Sequence, residues 1–132
     1  MYVLDTDTLI YFLKGHQNVV ERVTDTLSEN ITTTIINQAE LLFGVFNSLK
    51  KKQNLDKVEK FLDNIDIEPF CQGSAYIFAE KKALLKKQGN IVADLDLMIA
   101  SIAMYHQRTL VTNNTKHFAR INGLMIENWS AD

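Results

Sequence analysis

The chain holds one cysteine, one proline and five glycines in 132 residues. Cys71 has no partner within the chain, so no internal disulfide can form, and a lone thiol suits a reducing compartment. There is no repeat, no low-complexity tract and no linker rich in proline or glycine. No apolar run approaches the roughly 20 residues of a membrane-spanning helix. Asp5 and Asp7 interrupt the only early apolar stretch, so the start of the chain does not read as a secretory signal, and a cytoplasmic protein is expected. Neither sign of charge dominates, because 14 Lys and Arg face 16 Asp and Glu for a formal net charge of −2. A broad, sequence-independent nucleic-acid surface is therefore not indicated. Any basic patch must be local, at Lys50-Lys51-Lys52 or among Lys81, Lys82, Lys86 and Lys87. The three histidines, His16, His106 and His117, lack helical i, i+4 pairing and do not form a zinc set with Cys71; His106 reads as a helix-end residue. No Walker A, Gly-x-Gly-x-x-Gly or Gly-x-Ser-x-Gly motif occurs.

What is present is ordinary for a globular protein, with 46% hydrophobic and 23% charged residues. The length fits one domain over 1–132, which buries roughly two thirds of the unfolded surface without a disulfide or zinc staple. Val3 and Leu4 end a first strand, followed by a short helix from Thr8 to Lys14 that Gly15 stops. Apolar residues at Val19, Val20, Val23 and Leu27 keep helical spacing. The β-branched run Ile31 to Ile35 reads as a second strand. Asn37 is the expected cap of a helix running through Ala39, Leu42, Phe43 and Phe46, in which Gly44 reads as a close-packing position. Leu55 to Leu62 forms a further amphipathic helix, joined through a polar loop at Lys50 to Asn54. Ile65 and Ile67 alternate with acids in a short third strand ended by Pro69. Ser74 is expected to cap a long helix that stops near Gly89. After a loop, Asp94 or Asp96 opens a helix to Tyr105. Thr109 to Thr112 is a fourth strand, Asn113 to Thr115 a turn with Phe118 and Ile121 packing beyond it, and Leu124 to Ile126 an edge strand. Strands alternating with helices favour a mainly parallel sheet of about five strands covered on both faces.

Acidic residues fall at or near the ends of these strands. In an open α/β sheet, ligands bind outside the carboxyl ends of the strands. Asp5 follows the first strand. Glu40 stands in the first turns of a helix after the second, set among apolar neighbours. Asp96 lies between Leu95 and Leu97 at the apolar start of a helix, with Asp94 two residues earlier. Each has a bland role to weigh: Asp5 and Asp7 as helix caps, Glu40 and Asp96 as first-turn charges that favour the helix dipole. Gathered carboxylates repel and raise one another's pKa values, however, and a hard divalent cation with oxygen ligands relieves that repulsion. Thr112 and Asn114 offer neutral oxygens after the fourth strand.

Taken together, Val-Leu-Asp5-Thr, Ala39-Glu40-Leu-Leu-Phe-Gly, Asp96-Leu-Met-Ile-Ala-Ser-Ile-Ala, Leu110-Val-Thr-Asn-Asn-Thr and the final Glu127-Asn-Trp129 resemble a PIN-domain ribonuclease, and more narrowly a VapC toxin. The likeness runs through nearly the whole chain in order. It implies a three-layer α/β/α fold and a Mg²⁺- or Mn²⁺-dependent endoribonuclease; some relatives cut transfer RNA, the initiator included, and others ribosomal RNA, so the resemblance leaves the RNA target open. It implies a VapB-type antitoxin, a homodimer and a toxin–antitoxin hetero-oligomer. The family's acids map to Asp5, Glu40 and Asp96. Asp5 and Asp96 are expected to touch the metal, and Glu40 to touch the metal or orient water. Where relatives carry a further acid after the fourth strand, this chain has Asn114 and His117, which leaves Asp94 or a water as a substitute. Asp7, Thr112, Asn114, Lys82 and Lys86 are expected around the substrate.

Two other readings compete. Asp5-Thr-Asp7-Thr also resembles the first motif of haloacid dehalogenase-type phosphatases, with Asp5 as nucleophile and Asp7 as general acid–base. That family needs a downstream lysine and a late acid-bearing strand, which the loop before Asp94 does not supply. A non-catalytic RNA-binding domain would not gather acids that repel RNA. Finally, apolar positions such as Val20 and Phe61 suggest a groove between the Val19–Leu27 and Leu55–Leu62 helices, where an antitoxin segment docks.

Overall fold

The computed structural model describes residues 1–131; residue 132, the last of the expected unit, lies outside them. Five strands, β1 (Tyr2–Leu4), β2 (Ile31–Thr34), β3 (Asp66–Glu68), β4 (Thr109–Val111) and β5 (Ile126–Glu127), alternate with seven α-helices among the described residues. The helices are α1 (Thr6–Leu13), α2 (Gln17–Asp25), α3 (Ile35–Phe46), α4 (Lys51–Leu62), α5 (Gln72–Gln88), α6 (Asp94–Tyr105) and α7 (Thr115–Phe118). All pairings are parallel, in the order β3-β2-β1-β4-β5. The chain builds outward from β1 on one side, then returns to its other side with β4. The reversal of direction falls between β1 and β4, and in such sheets the ligand crevice opens at that switch point.

Successive side chains of a strand point to opposite faces, so a strand covered on both sides needs apolar residues at consecutive positions. Val3 and Leu110 enter one core with Leu97, Ile99, Ala100 and Phe118, while Leu4 and Val111 enter the other with Leu9, Val19, Leu41, Val58 and Trp129. This is the three-layer α/β/α arrangement. The central threonines of β2 are also buried, and their hydroxyls are satisfied: Thr32 Oγ1 donates to the Tyr2 carbonyl at 2.9 Å and Thr33 Oγ1 to the Leu4 carbonyl at 2.7 Å.

Several local expectations are corrected. Helix α3 begins two residues before Asn37, with Thr34 as N-cap; Asn37 is the reciprocal partner three positions on, a capping box that leaves both groups paired. Ser74 lies inside α5, whose N-cap is Cys71; its hydroxyl is 3.3 Å from Cys71 Sγ. Residues Lys51 to Asn54, expected as loop, form the first turn of α4, since a polar first turn needs no apolar face. On α3 the buried positions are Asn37, Leu41 and Val45, one helical stripe; Phe43 and Phe46 are exposed. A Cβ on Gly44 would meet nothing within 4 Å, so this glycine is not a close-packing position. Gly15 and Gly89 do stop their helices in left-handed conformation, at φ 81° and 73°. His106 caps the end of α6 as expected, with Nε2 at 3.0 Å from Glu68, which Arg108 also pairs. No helix among the described residues is long and apolar enough to cross a membrane.

Candidate active site

The carboxyl ends of β1 and β4 bring Asp5 and Thr112 together, because the Asp5 N–H continues the sheet to the Val111 carbonyl at 2.9 Å. Asp5 also caps α1, accepting from the Thr6 N–H at 2.9 Å. The capping role is thus realised, and it leaves the rest of the carboxylate facing the strand ends. The side chain is 7% exposed. Its Oδ1 accepts a second bond from Asn37 Nδ2 at 3.0 Å, and its Oδ2 one from Thr112 Oγ1 at 2.8 Å. An ionised carboxylate offers about four lone-pair positions, so one remains open. Burial pushes the carboxyl up from 3.8 to about 6, and the charges of Asp7 and Asp96 add to it against the hydrogen bonds from Thr112 and Thr6.

The other acids stand around this centre. Asp7, at the start of α1, accepts from the Asn113 N–H at 3.0 Å, so it faces the β4 end and is more than a solvated cap. Glu40, one turn beyond Asn37 on α3, accepts from Thr6 Oγ1 at 2.6 Å, and Thr6 Oγ1 accepts from Asn37 Nδ2 at 2.9 Å. Asp96, in the first turn of α6, lies with Oδ2 3.0 Å from Nε2 of His117 on α7. Asp94 is turned elsewhere: it is exposed and paired to Lys82 at 2.9 Å. Lys86 is exposed one turn further along α5 and lines a hollow of about 430 Å³ with Lys82, Asn90, Ile91 and Leu97. The Asn114 side chain is exposed, while its N–H donates to Thr112 Oγ1 at 3.1 Å.

Sequence reasoning missed Thr6, Asn37 and His117 as members of this site. The signals were present: Thr6 sits between two acids, Asn37 lies one turn before Glu40, and His117 occupies a position where an acid was expected. Among the described residues no three acidic, histidine or cysteine side chains already stand close enough to chelate an ion; Asp5 and Glu40 are bridged by Asn37 and Thr6 instead, and Asp96 bonds to His117. The donor chemistry still fits a hard divalent cation, with anionic oxygens crowded around a buried carboxylate that holds its charge at a cost. The phosphatase alternative finds no support here, since the side chains bonded to Asp5 are Asn37 and Thr112 and no lysine is among them.

A parallel sheet with acids at its switch point is the architecture of a PIN domain, and the PIN domain family model matches residues 2–124. The chain is 38% identical to the Ribonuclease VapC2 of Rickettsia felis over 131 residues, covering 98% of each. It is 30% identical to the tRNA(fMet)-specific endonuclease VapC of Shigella flexneri over 129 residues, again 98% of each. In structure it is similar to a chain of VapBC2 from Rickettsia felis bound to a DNA fragment from their promoter, with a TM-score of 0.88, 34% identity and coverage of 97% of this chain and 98% of that one. The chain belongs to the VapC family of PIN-domain ribonuclease toxins.

Proposed function

We propose that the protein is a Mg²⁺- or Mn²⁺-dependent endoribonuclease that arrests translation in the cytoplasm by cutting RNA, with transfer RNA, the initiator first, as its substrate class. The observation that carries this reading is the buried Asp5 at the switch point of the sheet, with Glu40 linked to it through Thr6 and Asn37, Asp7 held beside it by the Asn113 N–H, and the charge of Asp96 acting on it. The transfer-RNA assignment draws support from the relative in Shigella flexneri. Asp5 and Asp96 are the residues to hold the ion, with Glu40 beside them. Such an ion neutralises charge on a scissile phosphate and lowers the pKa of water, which is the chemistry that in-line hydrolysis of a phosphodiester requires. The chain's own residues prepare that reaction. Thr6, Asn37 and Thr112 fix the Asp5 carboxylate before substrate arrives, so little reorganisation is left for the reacting complex. In this reading Glu40, held through Thr6, orients water, and Asp7 is held by the β4 turn. Lys86, and Lys82 when released from Asp94, supply a basic edge for phosphates.

The restraint on this activity is a VapB-type antitoxin. Phe61, expected to line a groove between α2 and α4, packs at 4.9 Å on Phe12 of α1 and joins the core with Val23 and Leu55. A hollow of about 340 Å³ lies instead between α1, α3 and α4, lined by Ile10, Leu13, Gly44, Val45 and Val58, with Glu40 also on its wall. An amphipathic antitoxin segment fits such a groove, and a basic side chain from it reaches the acids through Glu40. Assembly as a homodimer and as a toxin–antitoxin hetero-oligomer belongs to the same reading; exposed Tyr76, Ile91 and Leu95 offer apolar surface for it.

The test is purified protein with total RNA and with isolated transfer RNAs, in Mg²⁺, Mn²⁺ or EDTA, with the new 5′ ends sequenced. Discrete cuts that need the ion and disappear in Asp96→Asn support the reading. Intact RNA from folded, metal-loaded wild-type protein, or cleavage equal in EDTA, would sink it.

A further inference from the structure

We propose that Ser130, in the segment that follows β5, is a positioning residue for the acidic site: it holds the Asn113 turn, whose N–H sets the direction of the Asp7 carboxylate beside Asp5. The proposal rests on the nuclease reading above, in which Asp7 belongs to the site. Thr112 Oγ1 stands between the two carboxylates, 2.8 Å from Asp5 Oδ2 and 3.4 Å from Asp7 Oδ2. The same Asp7 oxygen accepts from the Asn113 N–H at 3.0 Å. The direction of Asp7 therefore depends on where the Asn113 peptide lies. Sheet pairing reaches only the residue before it, through the Thr112 N–H to the Glu127 carbonyl at 2.9 Å. Beyond that bond Asn113 is held by its side chain, whose Oδ1 lies 2.6 Å from Ser130 Oγ. Ser130 is the one side chain bonded to that of Asn113 among the described residues.

Ser130 is itself well anchored. Asn128 Oδ1 accepts from the Ser130 N–H at 2.9 Å and lies 2.8 Å from Ser130 Oγ, the local turn that an Asn side chain makes with the backbone two residues on. Asn18 Nδ2 of α2 donates to the Ser130 carbonyl at 3.2 Å. Between Asn128 and Ser130, Trp129 is 2% exposed and lies edge-on to Tyr2 of β1, with ring centroids 5.0 Å apart. Its Nε1 donates to Glu127 Oε1 at 3.1 Å. Arg22 of α2 covers the same ring and pairs with the same carboxylate. The core and α2 thus fix a short segment that presents one hydroxyl to the turn. A reacting centre gains when its charged groups are oriented before substrate arrives. A role in stability alone would not act through Asp7, and that difference is measurable.

The experiment uses the full chain, with single-turnover RNA cleavage in Mn²⁺ at high enzyme concentration and amide hydrogen exchange by NMR in EDTA. Ser130→Ala should slow cleavage at least about ten-fold with little change in substrate affinity, since misplacing a reacting group by about 1 Å can cost about a hundred-fold. Ser130→Thr, which keeps the hydroxyl, should retain most of the wild-type rate. In an Asp7→Asn background the same Ser130→Ala change should alter the residual rate less than about two-fold, because effects along one chain of contacts are not additive. Without metal, Ser130→Ala should speed exchange of the Asn113 N–H at least about ten-fold and leave that of Leu110 in β4 unchanged, a local opening and not a global one. Unchanged Asn113 exchange, an unchanged cleavage rate, or an equal loss in the Asp7→Asn background would each overturn the proposal. If folded wild-type protein cuts no RNA in Mn²⁺, the nuclease reading fails instead. Faster Asn113 exchange in Ser130→Ala would then still support the hold of Ser130 on the turn, and unchanged exchange would overturn that as well.

Discussion

Replacing Asp5 by Asn in metal-free protein should raise stability above pH 6 and leave it unimproved near pH 4. The carboxyl is held at about 6 in the folded protein against 3.8 for the ordinary group. Between those values the folded chain keeps a proton that the unfolded chain has lost. Stability therefore falls as pH rises through this window and stays lower above it. A shift of about two units at 1.36 kcal/mol each corresponds to about 3 kcal/mol. Asn keeps the oxygen that accepts from Thr6 and Asn37, but turns an N–H₂ toward Thr112 Oγ1, which now donates to Asp5. Losing that bond costs about 1 kcal/mol. The net gain at pH 8 is then about 1–2 kcal/mol, or roughly 4–8 °C in Tm for a chain of this size. The assay is urea and thermal unfolding of both proteins in EDTA from pH 4 to pH 8, with the difference between the two curves isolating Asp5 from other titrating groups. Adding Mn²⁺ should reverse the order, because an ion that binds only the folded wild type stabilises it by mass action. A difference that does not change with pH, or an Asn variant less stable at pH 8 without metal, would refute the electrostatic account of the site.

Further outcomes follow from the same geometry. Asp96→Asn should abolish RNA cleavage while its circular dichroism is unchanged and its stability stays within about 1 kcal/mol of wild type, since the side chain is partly exposed. Thr6→Val removes the hydroxyl between Asn37 and Glu40; we expect a loss of about 1–2 kcal/mol in urea unfolding and a marked fall in kcat. Lys82→Glu combined with Lys86→Glu should weaken RNA binding and flatten its dependence on log salt by about 0.7–0.9 for each phosphate no longer neutralised; fluorescence anisotropy across a salt series measures both. Gly44→Phe places a ring in the α1–α3–α4 hollow where a Cβ meets nothing. Stability should hold or rise, since an interior helix glycine costs about 1 kcal/mol against alanine, while titration with the antitoxin shows a clear loss of affinity.

The alternating strands and helices, the buried pair Val3-Leu4, the helix stops at Gly15 and Gly89 and the acids after the strands were all legible in the sequence. Each rests on local chemistry: consecutive apolar residues for a strand buried on both faces, a left-handed glycine after a helix, a carboxylate where a strand runs out. Boundaries were harder. Thr34 and Asn37 can each cap a helix, and only their reciprocal pairing made Thr34 the cap. A polar first turn of α4 carries no periodic signal, so Lys51 to Asn54 read as loop.

What the tertiary structure alone decided is which residues meet. Asp5 and Thr112 are 107 positions apart, and Thr6 and Glu40 are 34 apart; sheet order placed them together, and nothing local to either segment encodes that order. The direction of a long surface side chain is also set by its neighbours, which is why Asp94 turned to Lys82 instead of joining the acids. The same holds for Phe61 of α4, whose packing on Phe12 of α1 no local pattern announces, and for the hollow lined by α1, α3 and α4. By itself the sequence determined the chemistry available to this protein, because residue type sets charge, donor set and local conformation. The tertiary structure determined which of those groups share one site, because hydrogen bonds and Coulomb forces act through distance in space and not along the chain.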